Sequence, residues 1–254
     1  MAKKNSKKPK RRSWKWRLLT NPKGMAVALV ILYVLTNFFV QLYRKPAEIL
    51  SFAAFLHYKT PEENWSAYQE YFLNAEKYGI QAETLAALAQ AESSGSPWAT
   101  PRWTFNWWPR EAFDFYRPQS SAVGLFQFTN GTYEAVRRRC SVAENKCPDL
   151  GWTAPTRLSA SESIERAAQN LHRELMNIAP KNKNSWTHLA PLVHLCGSGV
   201  ARKVARNGTP QTLRCGSHNA LAYVREIDSL ARRMKKIRGS SSRSRILDGE
   251  VAGR

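Results

Sequence analysis

The carboxyl group of Glu92 is the side chain best placed to do chemistry. Glu92 closes the run LAALAQAESSG and falls on an apolar stripe with Leu85, Leu88 and Ala89, at helical spacing. A carboxyl group there is partly desolvated and close to the negative end of the helix dipole, and both effects predict a raised pKa. A raised pKa lets a Glu keep its proton at neutral pH and act as a general acid. The ordinary alternative is a Glu in a last helical turn that bends towards solvent.

A second segment, SAVGLFQFTNGTYEAV from Ser121, has the residue types of a sugar-binding loop. It predicts a turn at Gly124, followed by Phe126 and Gln127. The Gln amide can hydrogen-bond hydroxyl and acetamido groups, and an aromatic ring can cover a sugar face. The alternative is a buried Phe126 with a Gln127 that only satisfies the backbone of the turn.

The elements that position these residues are predicted to be helices. No run alternates between apolar and polar residues as a strand would, so we expect a mostly α domain of about 170 residues. Three further apolar stripes follow the one that contains Glu92. A capping box, Ser159-x-x-Glu162, precedes the first of these three, and Gly197 ends the second. Thr129 or Asn130 offers a further N-cap. The three stripes are Ile164, Ala167, Ala168, Leu171 and Leu175; Leu189, Leu192, Val193 and Cys196; and Ala220, Tyr223, Val224, Ile227, Ala231 and Met234.

The net charge of the 254-residue chain, +20, belongs mainly to its ends. Residues 1–24 contribute +10 and residues 232–254 contribute +6, which leaves +4 for the middle of the chain. A nucleic-acid binder should carry a basic stripe on its folded domain, so this distribution argues against one. The basic clusters at 137–139 and 202–206 keep a membrane-anchored nucleic-acid binder as a rival. The hydrophobic content of 43% and nine Trp exclude a wholly disordered chain.

The stretch MAVALVILYVLTNFFVQLY holds 19 residues without a charge and predicts a transmembrane helix. The preceding basic run places the N-terminus in the cytoplasm by the positive-inside rule. We therefore expect a single-pass membrane protein whose folded domain lies outside the cytoplasm. A cleaved signal peptide is the alternative, but its apolar region is usually only about 7–15 residues. The predicted organisation is a basic cytoplasmic tail 1–24, transmembrane helix 25–43, juxtamembrane linker 44–64, catalytic domain 65–236 and basic disordered tail 237–254.

Four cysteines, Cys140, Cys147, Cys196 and Cys215, could oxidise outside the cytoplasm. Three pairings are open, and Cys140–Cys147 and Cys196–Cys215 are the pairs closest in sequence. Free buried thiols are the alternative. A zinc site is disfavoured because the chain has no C-x-x-C pair. We expect no metal and no cofactor.

Together these segments resemble the lytic transglycosylases of the soluble-lytic-transglycosylase type, which share a lysozyme-like α fold. The resemblance covers residues 68–234. It rests on Glu92-Ser93 at a helix end, Gly-Leu-Phe-Gln at 124–127 in place of Gly-Leu-Met-Gln, the helical sequence at 157–175 and YVREIDSL from Tyr223. One departure is His194-Leu195-Cys196, where many members of the family have Tyr-Asn-Ala.

A second departure is the length of chain between Glu92 and Gly124. The extra segment, residues 97–118, contains four Trp, three Phe and a Tyr. It could floor a glycan groove, dip towards the membrane, or pack its aromatic rings on its own domain.

The resemblance implies a peptidoglycan lytic transglycosylase that cleaves the bond between N-acetylmuramic acid and N-acetylglucosamine and forms a 1,6-anhydro ring. Glu92 would be the single general acid and base. Only Glu111 and Asp114 offer a second carboxylate, and solvated loop charges are the plainer interpretation of both. The implied partners are glycan strands and the membrane through one helix, with cell-envelope machinery as a further candidate and without nucleic acid. The implied location is the bacterial inner membrane, with the catalytic domain in the periplasm. The implied substrate-binding residues are Ser93, Ser121, Phe126, Gln127, His194 and Tyr223.

Two further hypotheses share this scaffold. A hydrolytic muramidase would leave reducing sugar ends instead of anhydro ends. A catalytically inactive wall-binding or assembly protein would bind peptidoglycan without releasing fragments, and the His-Leu-Cys substitution keeps that hypothesis open.

Overall fold

A computed structural model describes residues 21–49, 54–136, 157–179 and 185–251, and the chain divides into two compact units. The first unit combines the N-terminal region up to Lys45 with residues 103–119. The second unit holds residues 46–102 and everything from Ser120 onwards. In agreement with the sequence, the structure is mostly helical.

The first unit is built on helix α1, Pro22–Arg44. Asn21 caps it by accepting a hydrogen bond from the backbone N–H of Lys23, and Pro22 occupies the first helical turn, where its missing N–H costs nothing. The helix begins three residues before the predicted start at Met25. It is long and apolar enough to cross a membrane.

The aromatic segment of the first unit forms a β-hairpin, which the sequence did not predict. Strand β1, Trp103–Phe105, pairs antiparallel with β2, Tyr116–Pro118. A second short pair, β3 at Arg214–Cys215 and β4 at His218–Asn219, lies in the second unit. Strands of two or three residues are too short to show the alternation by which strands are recognised.

The described part of the second unit is mainly helical. Helix α3 lies at its centre: it packs against α2 and α7, and its residues Ala82 and Leu85 to Ala89 are fully buried. The helix that carries Glu92 is therefore a core helix, which fixes its C-terminal end firmly. The helices are α2 Pro61–Ala75, α3 Ala82–Ser93, α4 Ala160–Ile178, α5 Trp186–Cys196, α6 Ser198–Asn207 and α7 Ala220–Val251, with 3₁₀ turns at Phe55–His57 and Glu76–Tyr78.

Helix boundaries follow the caps in the sequence. Ser159 accepts a hydrogen bond from the backbone N–H of Glu162 and starts α4 as predicted. A complete capping box between Thr60 and Glu63 starts α2 within the segment predicted as linker. At the other end, α7 continues to Val251, through the segment predicted as a disordered tail.

One of the anticipated disulfides is present. Cys196, the last residue of α5, is bonded to Cys215 in β3. The other two cysteines, Cys140 and Cys147, lie outside the described residues.

Candidate active site

The carboxylate of Glu92 is held by two side chains from distant parts of the chain. The Tyr223 hydroxyl, on α7, donates a hydrogen bond to Glu92 Oε1. His194 Nε2, on α5, lies 3.5 Å from the same oxygen. The side chain of Glu92 is only 19% exposed. Three residues that were singled out separately in the sequence therefore meet at one oxygen atom.

The predicted direction of the Glu92 pKa is wrong. Burial does raise the pKa of Glu92, but the hydrogen bonds and charges of its neighbours His194, Tyr223 and His218 outweigh that effect, so the pKa of Glu92 lies below its usual value. The pKa of Tyr223 is raised, first by burial and then by the nearby Glu92 carboxylate. Tyr223 therefore stays protonated and serves as a hydrogen-bond donor.

The loop 124–127 is fastened to the helix that carries Glu92. Ser93 Oγ lies 2.8 Å from the carbonyl oxygens of both Ala89 and Leu125, which share its single O–H hydrogen. Ser93 is buried, so its hydroxyl links α3 to the loop and does not face a substrate. This corrects its assignment as a binding residue. The same link fixes the loop relative to the catalytic candidate.

Gly124 is required by the way the loop is packed. Its φ is +86°, and a Cβ atom built there would lie 2.1 Å from the carbonyl oxygen of Arg157. The Arg157 side chain, which is buried, donates to the carbonyls of Ser121 and Phe128 at 3.3 and 3.1 Å. Arg157 thus braces both ends of the loop, a role that its sequence context did not indicate.

Gln127 is oriented by the backbone around it. Its Nε2 donates to the carbonyl oxygens of Ala99 at 2.9 Å and Gly124 at 3.0 Å. Its φ is +48°, a left-handed conformation that is uncommon outside glycine. Because both amide hydrogens are engaged, only the Oε1 side of the amide is available to accept a hydrogen bond from a ligand.

Two other binding candidates, Phe126 and Ser121, make contacts within the fold. Phe126 is fully buried in the core and cannot cover a sugar face, so that expectation is wrong. Its ring, like that of Phe128, instead packs against His194, at centroid distances of 6.3 and 6.2 Å. Ser121 Oγ accepts a hydrogen bond from the Asn130 backbone N–H at the start of the helical residues 130–136.

A cleft of about 550 Å³ lies beside these residues. Gln127 and His194 line it, together with Asn170 and Glu174 from α4. Glu174 adds a carboxylate that the sequence analysis missed, since one Glu among the polar residues of an amphipathic helix carries no signal. Within the described parts of the chain, no group of three or more His, Cys, Asp or Glu is arranged to hold a metal ion.

The other carboxylates proposed from the sequence have ion-pair partners of their own. Glu111 and Asp114 belong to the first unit, where Arg44 contacts them at 2.6 and 2.8 Å. Arg117 also contacts Asp114, at 3.2 Å. Their role as a second catalytic carboxylate is not supported.

Comparison with known proteins identifies a family domain within the chain. Residues 70–179 match the family model of the transglycosylase SLT domain. The matched stretch includes Glu92, the loop 124–127 and the whole of α4, whereas His194 and Tyr223 lie beyond it. No curated protein matches the chain. The match and the helical architecture together indicate a lysozyme-like domain of the lytic transglycosylase type.

Proposed function

We propose that the chain is a membrane-anchored peptidoglycan lytic transglycosylase, with Glu92 as its single general acid and base. The observation that carries the proposal is the Glu92 carboxylate at the end of a buried helix, where Tyr223 donates a hydrogen bond to it and His194, which itself lines the cleft, lies 3.5 Å away. The SLT-domain match over residues 70–179 supports peptidoglycan as the substrate class.

In the first step, protonated Glu92 gives its proton to the glycosidic oxygen as the bond from C1 of N-acetylmuramic acid breaks. The bonding electrons leave with the N-acetylglucosamine oxygen, and positive charge develops at C1. The muramyl N-acetyl oxygen stabilises that charge, so no second carboxylate is needed. Glu92 is left as a carboxylate, which the donors of Tyr223 and His194 stabilise.

In the second step, the Glu92 carboxylate takes the proton of the muramyl O6 hydroxyl. O6 then bonds to C1 and closes the 1,6-anhydro ring, and Glu92 is protonated again for the next cycle. No water is consumed. A glycan strand that fills the cleft displaces water from around the carboxylate, which raises its pKa and favours the acid form that begins the reaction.

The proposed location follows from α1. Its apolar length, preceded by ten Lys and Arg, fits a single transmembrane anchor with a cytoplasmic N-terminus. The catalytic unit would then face the periplasm, where peptidoglycan lies and where the Cys196–Cys215 disulfide can form.

The full-length chain, purified in detergent, tests the proposal when it is incubated with purified sacculi. Mass spectrometry of the soluble products should show 1,6-anhydro ends. Glu92→Gln should abolish them without changing the thermal unfolding midpoint. Anhydro products from the Glu92→Gln variant, or no products from the wild type despite binding to sacculi, would overturn the assignment. The second outcome would instead indicate a wall-binding protein.

Hydrolysis is the second candidate because Glu174 lines the cleft. An inverting or retaining hydrolase uses a second carboxylate to activate water or to attack the sugar. Glu174→Gln is therefore the matched variant in the same assay. If Glu174 only contacts the glycan, anhydro products persist in this variant. Reducing ends that require both Glu92 and Glu174 would establish hydrolysis.

A further inference from the structure

The hairpin of the first unit is bound to one side of α1 by side chains of the helix. Asn37 Nδ2 donates to the carbonyl oxygen of Tyr116 at 2.6 Å, and Gln41 Nε2 donates to that of Phe113 at 2.5 Å. The Tyr33 hydroxyl donates to the carbonyl oxygen of Ala112. Three backbone carbonyls of the hairpin thus receive donors from an otherwise apolar helix.

These polar residues of the helix are hidden by the hairpin. Asn37 is 1% exposed, whereas several apolar side chains of α1 are more than half exposed, among them Val30 at 62% and Phe39 at 64%. In a helix surrounded by lipid, Asn and Gln side chains need partners within the protein. The hairpin supplies such partners. Without it, Asn37 and Gln41 of α1 would face the lipid with unsatisfied hydrogen-bond donors.

The contacts extend along half of the helix. Tyr33 stacks on Phe113 at 6.0 Å and also contacts Phe115, while Arg44 reaches the hairpin at the far end of α1. At about 1.5 Å of rise per residue, the distance from Tyr33 to Arg44 along the axis is about 16 Å.

This length decides where the hairpin lies if α1 crosses the membrane. Residues 22–32, which precede the contacts, are only about 16 Å long, whereas the hydrocarbon core is about 30 Å thick. The spanning segment must therefore include residues that carry the hairpin. A hairpin in water above the membrane would leave α1 too short to cross.

The outer face of the hairpin suits that position. Phe105, Trp107 and Trp108 are 54%, 71% and 89% exposed. Trp107 packs edge-on against Phe115, which in turn contacts Tyr33, so these rings belong to the level of the helix midpoint. Large apolar rings that would be exposed to water at this level instead contact lipid chains, which removes their apolar surface from water.

We propose that residues 103–118 form a second membrane-embedded element, a hairpin that enters the outer half of the bilayer beside α1 and contacts lipid through Phe105, Trp107 and Trp108. The ion pairs of Arg44 with Glu111 and Asp114 then lie at headgroup depth, at the end of the helix. The inference rests on the proposed anchor and does not depend on the catalytic reaction. It assigns the aromatic segment to the bilayer and not to a glycan groove.

The test uses the full-length chain in bilayers of phosphatidylethanolamine and phosphatidylglycerol, with the photocrosslinker p-benzoylphenylalanine at one position at a time. Trp108→p-benzoylphenylalanine tests the hairpin, and the same change at Val30 tests the anchor. Tyr71, a half-exposed residue of α2 in the second unit, is the matched aqueous control. We expect a lipid-adduct yield at position 108 about tenfold above that at position 71, because water-exposed probes meet few lipid chains.

The outcomes separate this inference from the proposed anchor. Lipid adducts at position 30 without adducts at position 108 would overturn the embedded hairpin and leave the anchor intact. An absence of adducts at position 30 would overturn the anchor itself. If added glycan strands are captured at position 108 in place of lipid, the hairpin belongs to a sugar-binding surface and the proposal is wrong.

A double variant tests how the hairpin is held. Asn37→Leu with Gln41→Leu removes two of the donors to the hairpin carbonyls and keeps α1 apolar. The adduct yield at position 108 should then fall towards that of position 71, while the yield at position 30 stays the same. An unchanged yield at position 108 would show that the helix does not hold the hairpin, contrary to the proposal.

Discussion

Replacing Gly124 by Ala should destabilise the second unit and displace the candidate binding loop. The new Cβ would lie 2.1 Å from the Arg157 carbonyl oxygen, well inside the contact distance. That carbonyl is not free to retreat, since it accepts a hydrogen bond from Ser163 Oγ at 2.9 Å and the Arg157 side chain is buried. The loop itself must therefore move.

The expected loss in the free energy of unfolding combines two effects. A side chain at φ +86° costs about 1–2 kcal/mol of backbone strain. Overpacking in a closed site adds about 1–3 kcal/mol. A total of about 2–5 kcal/mol corresponds to a fall of roughly 4–20 °C in the unfolding midpoint of a domain of this size. Since Gln127 donates to the Gly124 carbonyl, release of anhydro products should fall as well.

Circular dichroism during heating of the full-length chain in detergent measures the loss. Gly131→Ala is the matched control, because Gly131 lies in the helical residues 130–136 and an added Cβ would meet nothing within 4 Å. It should unfold at or slightly above the wild-type midpoint. Equal midpoints for Gly124→Ala and Gly131→Ala would refute the close approach of the loop to Arg157.

Two further predictions concern His194 and the Cys196–Cys215 disulfide. His194→Phe removes a neighbour that lowers the pKa of Glu92, so that pKa should rise. Because the acid form is lost as pH rises through the pKa, the alkaline limb of the kcat/KM profile on soluble glycan fragments should move to higher pH. His188→Phe, which removes a contact with Asp228, is the control. An unmoved limb in His194→Phe would contradict the described contact of His194 with Glu92. Cys196→Ser with Cys215→Ser opens a loop of 19 residues and should lower the free energy of unfolding by about 3 kcal/mol, measured by urea titration. The same stability in the double variant and the wild type would show that the disulfide does not constrain the unfolded chain.

Local signals predicted the helices well. Two such signals are the stripe around Leu85 and Leu88 and the cap at Ser159. Each depends only on residues within one or two helical turns, and both are confirmed. The turn at Gly124 was likewise expected, but its cause was not. The atom that excludes a side chain there belongs to Arg157, more than 30 positions away.

Long-range contacts account for what the sequence did not predict. The pKa of Glu92 was expected to rise from its local setting, yet Tyr223, 131 positions away, and His194 reverse the direction. The attachment of the hairpin to α1 was missed for the same reason, because the contact of Asn37 with Tyr116 spans 79 positions. Such pairings leave no periodic pattern along the chain.

The Cys196–Cys215 bond has a consequence for how the protein matures. Cys196 follows His194 by two residues on α5, and Cys215 precedes Tyr223, so the bond joins the two chain segments that carry the partners of Glu92. Newly made chains in a reducing cytoplasm would lack this bond. If the chain cuts peptidoglycan as proposed, export then becomes the final step of its assembly. The enzyme would gain its full stability only on the side of the membrane where its substrate lies.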